Sequence, residues 1–467
     1  MCRKTAISIY IFFFSLLTVV PCLSAGSLEM QISGDNLRLH AQAVPLQTIL
    51  RGFAEKGIRV QIDPDLNPLI SVSFEKRDMQ KGLRSLLQEL DHVLIWESFP
   101  GTSEIRLTGI QIFESGKKSR MRPLPFPDNF DVIKNPKDGS LMIRDEILLR
   151  AAPGISPKNF DQFLESIGAE VLAYDTRTGI YRIRLPKNSD IPALAKKIAG
   201  NRNIAGAEPN YAYPVLLPYR NISPDVPEAG YVNPVPPEGN VRIAVLDSGL
   251  QPGAGLEEYV TAALDAVHPE NSLGDSLGHG TQMALIASGA VRPYGVSDTS
   301  ALPIIPIRSF DDNGMTTSFS MMRSIDFALE NGARVLSMSW GSDTQSGFLE
   351  QALKEADAKG LILVAAAGNE PTGKEVWPAA YPSVIGVGAL GPDGKKWEKS
   401  NYGSSVTVSA PGFASLPVGY KGEAGAYAGT SIAAAYVANR IADYLSKHPE
   451  AGKEDVYKFL QTGSPGH

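Results

Sequence analysis

Short, unbroken apolar runs dominate the second half of the chain. "VRIAVL" (241–246), "ALPIIPIRSF" (301–310), "ARVLSMSW" (333–340), "GLILVAAAGN" (360–369) and "SVIGVGAL" (383–390) each have the length and content of a buried strand. Between them, near 279–289, 318–331 and 347–359, lie stretches that read as helices. Continuous apolar strands alternating with helices predict a parallel sheet covered on both faces. In such a sheet the reacting groups collect beyond the carboxyl ends of the strands. The fold class expected of residues 240–467 is therefore α/β.

Upstream, the pattern predicts two small α+β domains. Residues 28–112 include "PLQTILRGFAEKG" (45–57), where Leu46, Ile49, Leu50 and Phe53 form a helical stripe closed by Gly57. Strand-like "IRVQI" and "LISVSF", a second helix "MQKGLRSLLQEL", and strands "HVLIWE" and "EIRLTGIQIF" complete the unit. "VPLQTIL", "IDPDLN" and the later helix resemble the short N-terminal domain of secretins and TonB-dependent receptors. That resemblance implies a docking element for a cell-envelope protein; the alternative is a packed domain that acts only as a spacer. Residues 113–145 ("ESGKKSRMRPLPFPDNF" and beyond) show no sustained period and are expected to be a linker.

Residues 146–216 repeat the order strand, helix, strand, strand, helix, strand. Their second element, "SPKNFDQFLESIG", opens with a Ser cap and Pro157 in the first turn. The order and the ending "AEPNYAY" resemble the propeptide of subtilisin-like proteases. A connector at 217–239 comes next; from 214 to 239 the chain holds seven prolines, which predicts a stiff, extended segment.

The extreme N-terminus reads as an export signal. Arg3 and Lys4 precede an apolar run from Ile7 to Val20, and "CLSAGS" supplies small residues for cleavage after Ala25. The run is short of the roughly 20 residues a membrane helix needs. Residues 1–25 are thus expected to be removed, taking Cys2 and Cys22 with them and leaving no stable membrane span. The expected locations are the periplasm, the outer membrane or the medium.

Composition narrows the chemistry. A formal charge of −6 gives no footprint for nucleic acid. Two Cys and six His, without CxxC or HExxH spacing, supply no metal or redox motif, and no cofactor is expected. Structural calcium stays unassigned, because "FDDNG" (310–314) fits a turn at least as well as a ligand loop.

Four local features then matter together. Asp247 ends the run "VRIAVLD", His279 lies between glycines in "GHGT", Asn369 follows Gly in "AAAGN", and Ser431 opens a helix in "GTSIAAAYVA". Three of them have an ordinary local reading: turn-capping Asp, loop Asn, helix-capping Ser. His268, in "AVHPEN", is the nearest rival histidine. In the order Asp, His, Asn, Ser on one α/β sheet, these motifs resemble the signatures of the subtilisin-like serine proteases. The resemblance implies that Asp247 orients His279, that His279 is general base to Ser431, and that Asn369 donates to the oxyanion. "SMSWG" (337–341) is similar to the family's substrate-pairing strand, which implies substrate contacts from Ser339, Trp340 and Gly341. Trp340 either narrows a pocket or packs in the core. Ala435 stands where the family has proline, and could tighten the turn that carries Ser431. The expected activity is an exported serine endopeptidase made as a zymogen, acting on protein or peptide substrates. The rival expectation is a catalytically weak or inactive protease-like scaffold that binds an envelope partner through 28–112.

Overall fold

A computed structural model describes residues 27–462 apart from 34–35, 55–57, 64–65, 89, 99–104, 125–129, 222–239, 270–272, 298 and 419–423. The expected signal at 1–25 and nearly all of the proline-rich connector lie outside the described residues.

The chain divides into two compact units, residues 1–124 and 125–467. In the first, strands Ser27–Ser33, Asn36–Pro45 and Leu69–Asp78 form an antiparallel sheet. A second sheet runs in the order Asp91–Ser98, Ile105–Phe113, Arg59–Ile62, Arg122–Pro123. The predicted stripe Leu46, Ile49, Leu50 and Phe53 lies on helix Leu46–Ala54 and is fully buried. Helix Met79–Leu86 starts where the Asp78 carboxylate accepts the Lys81 N–H at 3.2 Å, an N-cap.

The segment 113–145, expected to be a linker, contributes strands to both units. Arg122–Pro123 pairs with Gln61–Ile62 in the first. In the second, Val132–Lys134 pairs with a strand, Leu141–Ala151, that begins well before residue 146. Pieces this short carry no readable period; their partners, not their own sequence, make them strands.

The second unit begins with a middle domain of four main antiparallel strands and two helices. Its sheet runs Glu170–Asp175, Ile180–Arg184, Leu141–Ala151, Ile204–Pro214, with helices Pro157–Ser166 and Ile191–Ala199. The Ile204–Pro214 strand does not stop at the domain edge. It pairs onward with Met315–Thr317 of the C-terminal domain, so one sheet spans both.

The C-terminal domain is built on a seven-stranded parallel sheet, as the apolar runs predict. Its order is Leu264–Asp265, Ile304–Arg308, Arg242–Asp247, Ala333–Met338, Ile362–Ala366, Val384–Leu390, Val408–Pro411. Helices His279–Ala287 and Thr430–Lys447 pack into one apolar core, and Ser318–Glu330 and Gly347–Ala358 into another. Near-total burial of the central strands explains why they read as continuous rather than alternating apolar runs.

Candidate active site

Asp247 stands at the carboxyl end of its strand, fully buried, with one carboxylate oxygen accepting the Ser248 N–H at 2.8 Å. The same oxygen is 2.6 Å from His279 Nδ1. A carboxylate can only accept, so in the neutral ring Nδ1 carries the proton and Nε2 the lone pair. His279 is the first residue of its helix, and it comes this close because Gly280 has no side chain. A Cβ on Gly280 would lie 2.4 Å from the Gly249 carbonyl oxygen. His268 sits elsewhere, its backbone N–H held by Asp265 at 2.8 Å, and burial pushes its ring pKa down.

Asp275 has no motif of its own in the sequence, yet it organises this loop. Its carboxylate accepts the Gly278 N–H (2.8 Å), the Thr281 N–H (2.8 Å), the Thr281 hydroxyl (2.6 Å) and the Ser248 hydroxyl (2.8 Å). Ser248 Oγ in turn accepts the Gly280 N–H at 2.8 Å. The backbone on both sides of His279 is therefore tied to the turn after Asp247. Polar residues clustered only by folding leave no spacing signature in the sequence.

Ser431 is the second residue of helix Thr430–Lys447, whose N-cap, Gly429, offers no side-chain oxygen. No capping side chain of Gly429 competes for the Ser431 N–H, which stands at the positive end of the helix where a developing anion is favoured. The helix runs unbroken through Ala435, as a residue bearing an N–H allows. Asn369 is turned by Thr430: its side-chain oxygen accepts both the Thr430 N–H (2.9 Å) and the Thr430 hydroxyl (2.8 Å). Its amide nitrogen must then face the cleft, where it donates to the Leu217 carbonyl at 3.3 Å.

A piece of the chain itself fills that cleft. Val215 N–H donates to the Gly314 carbonyl at 2.9 Å, Val215 bridges Trp340 in antiparallel register, and Leu216 N–H donates to the Ser339 carbonyl at 3.0 Å. Ser431 Oγ donates to the Leu216 carbonyl at 3.1 Å. His279 Nε2, the atom that would receive the serine proton, is buried and has no hydrogen-bond partner among the described residues. Around the segment lies a cleft of about 850 Å³ lined by Gly341, Gly368, Asn369 and Val376 among others.

Of the residues expected to meet substrate, Ser339 and Gly341 line this strand, but the Trp340 side chain does not. It is fully buried, in the core with Phe310 (ring centroids 6.4 Å apart), and only its backbone faces the cleft strand. In the "FDDNG" turn, Asp311 accepts N–H groups from Phe130, Asn313 and Met315, and Asp312 pairs with Arg308. Among the described residues no cluster of three His, Cys, Asp or Glu side chains is placed to hold a metal ion.

The geometry has counterparts in known proteins. Residues 238–464 match the Subtilase family, and residues 129–210 match the Fervidolysin N-terminal prodomain. Subtilisin of Bacillus pumilus is 33% identical over 231 residues, which cover 48% of this chain and 83% of that protein. The chain belongs to the subtilase family. The minor extracellular protease Epr of Bacillus subtilis is 35% identical over 175 residues, covering 37% of this subtilase but only 27% of Epr. Among solved structures, fervidolysin from Fervidobacterium pennivorans, described as a keratinolytic enzyme related to subtilisin, superposes with a TM-score of 0.56. At 23% identity, covering 72% of this chain and 60% of that one, it attests the shared fold. The middle domain of this subtilase is accordingly a fervidolysin-like prodomain.

Proposed function

We propose that this subtilase is an exported serine endopeptidase, made as a zymogen that cuts its own chain between Leu216 and Leu217. The observation that carries the reading is the seating of residues 215–217. Leu216 is paired to Ser339 by its N–H and to Ser431 by its carbonyl, and the Asn369 amide lies on the next carbonyl. The serine and the asparagine thus straddle one peptide bond. It precedes Leu217 rather than a proline, and so avoids the leaving nitrogen that proline would present.

In the reaction, Ser431 turns its hydroxyl proton from the Leu216 oxygen to His279 Nε2 and attacks the Leu216 carbonyl carbon. The new C–O bond opens the carbonyl, and the resulting oxyanion takes hydrogen bonds from the Ser431 N–H and from the Asn369 amide, which turns to it from the neighbouring Leu217 carbonyl. The C–N bond to Leu217 then breaks, its nitrogen taking the proton from His279. Water, activated by the same imidazole, hydrolyses the acyl-enzyme. Asp247 holds the tautomer and stabilises the imidazolium throughout. Protein substrates would bind as the 215–217 segment does, as an added strand.

Export is supported by the N-terminal run of residues 7–20 and by the extracellular relative Epr. Among the described residues no helix is long and apolar enough to cross a membrane. An envelope partner for the 28–112 module rests on its resemblance to the short N-terminal domains of secretins and TonB-dependent receptors.

The test is covalent labelling of matured protein by a fluorophosphonate, with the modified peptide identified by mass. Modification of Ser431, abolished in His279→Ala, is the expected result. Folded, matured protein that takes no label would refute the proteolytic reading.

A further inference from the structure

Resting on that proteolytic reading, we infer that the residues just after the cut form a second lock, independent of the prodomain. Once the Leu216–Leu217 bond is broken, residues 219–221 stay docked beyond the serine. There they exclude the part of a protein substrate that follows its own scissile bond.

Backbone and side-chain contacts hold this segment together. Tyr219, Arg220 and Asn221 pair antiparallel with Ala428, Tyr427 and Ala426, adding an outer strand to a sheet completed by Phe413–Leu416. Tyr219 meets Trp397 edge to face, with ring centroids 5.6 Å apart, and Trp397 meets Phe413 in the same way at 5.8 Å. The Lys399 ammonium lies over the Tyr219 ring, 3.8 Å from its centroid, a cation–π contact. Arg220 Nη2 donates to the Ala424 carbonyl at 3.4 Å. Ahead of the strand, Pro218 packs where Gly429 has no side chain: a Cβ there would lie 3.3 Å from the Pro218 Cβ.

The position of the cut decides what these contacts do. The prodomain then ends at Leu216 and becomes a separate chain, able to leave. Residues 217–221 stay covalently part of the catalytic chain, joined through 222–239 to the strand that carries Asp247. Their docking is therefore intramolecular, at an effective concentration on the order of mM. Gly425–Ala428 leads directly into Gly429 and the helix of Ser431. A substrate bound as the 215–217 segment is would lay its third to fifth residues after the scissile bond on this same edge. One edge takes one strand. Leu217 and Pro218 precede the paired strand and, once cut, form a free end that can clear the serine. Substrates with a small leaving group thus still react, whereas longer ones must first displace Tyr219 from Trp397 and Lys399.

The experiment uses the full chain after self-cleavage, with the Ser431→Ala chain as the uncut reference. Amide exchange followed by mass spectrometry is expected to show residues 219–221 protected alike in both. Kinetics then compare a peptide p-nitroanilide with an internally quenched peptide that extends past its fifth residue after the scissile bond. Prodomain still bound slows both substrates and cancels in the ratio of their kcat/KM values. Tyr219→Ala removes the ring that Trp397 and Lys399 hold, and is expected to raise the quenched-peptide/anilide ratio about 10-fold. Tyr219→Phe keeps the ring and is expected to keep the wild-type ratio. Protection at 219–221 that disappears on cleavage, or a Tyr219→Ala ratio equal to wild type, would overturn the inference. A wild-type chain that stays uncut and takes no fluorophosphonate would instead remove the proteolytic reading on which it rests.

Discussion

At the residue scale, the site depends on side chains held by other side chains. Asn369 is useful as a donor only because Thr430 occupies its oxygen with two hydrogen bonds. Replacing Asn369 by Ala is expected to lower kcat by about 100- to 1000-fold with little change in KM, since the lost bond matters most when the oxyanion forms. Steady-state kinetics on a peptide anilide would check this; a KM effect without a kcat effect would place Asn369 in ground-state binding. Asp247, His279, Asn369 and Ser431 are legible in the sequence because each sits in a short local motif. Asp275 and Thr430 are not, since their roles are created by contacts that only the folded chain makes. Trp340 shows a related limit. Its strand position is readable, but the side to which its ring points depends on the pleat and on Phe310 waiting in the core.

At the element scale, the prodomain grips the catalytic domain by capping its helices. Glu208 lies on the tail strand Ile204–Pro214 and accepts hydrogen bonds from the Ser346 hydroxyl and, at 3.0 Å, the Gly347 N–H, at the start of helix Gly347–Ala358. Two residues on, Asn210 accepts the Phe319 N–H at 3.3 Å at the start of Ser318–Glu330. A carboxylate at a helix N-terminus is worth about 1 kcal/mol. Glu208→Ala is therefore expected to raise the dissociation constant of the cleaved prodomain roughly fivefold. Gel filtration or titration of the self-cleaved protein would measure it, and an unchanged constant would show that strand pairing alone holds the two together. The helices and the inner strands of the C-terminal domain are legible because burial writes them as long apolar runs. The short strands Val132–Lys134 and Met315–Thr317 are not, because pairing rather than composition makes them.

At the scale of the whole molecule, the same interface carries a pH dependence. Arg177 of the prodomain reaches Asp326 at 2.9 Å and pairs with Glu330 at 2.6 Å on helix Ser318–Glu330. Burial first, and then the neighbouring Asp175 carboxylate, raise the Asp326 pKa from 3.8 to about 7, against the opposing pull of Arg177 and Lys359. Burial also raises Glu208. A carboxyl whose pKa is higher in the docked state takes up a proton on docking. Its support is fully present below the free value of 3.8 and is lost as pH rises through about 7. Prodomain binding is thus expected to weaken between about pH 4 and pH 7. Asp326→Asn should flatten that slope, and the dissociation constant measured across this range would show whether it does.

The central claim is that the chain lies in its own active site with Leu216–Leu217 across the serine. Intact-mass analysis and N-terminal sequencing of the purified protein, wild type beside Ser431→Ala, test it directly. The predicted result is a wild-type fragment that begins at Leu217 and a Ser431→Ala chain with no cut at that bond. Cleavage after Leu216 in both proteins, or a wild-type chain left uncut there, would contradict it.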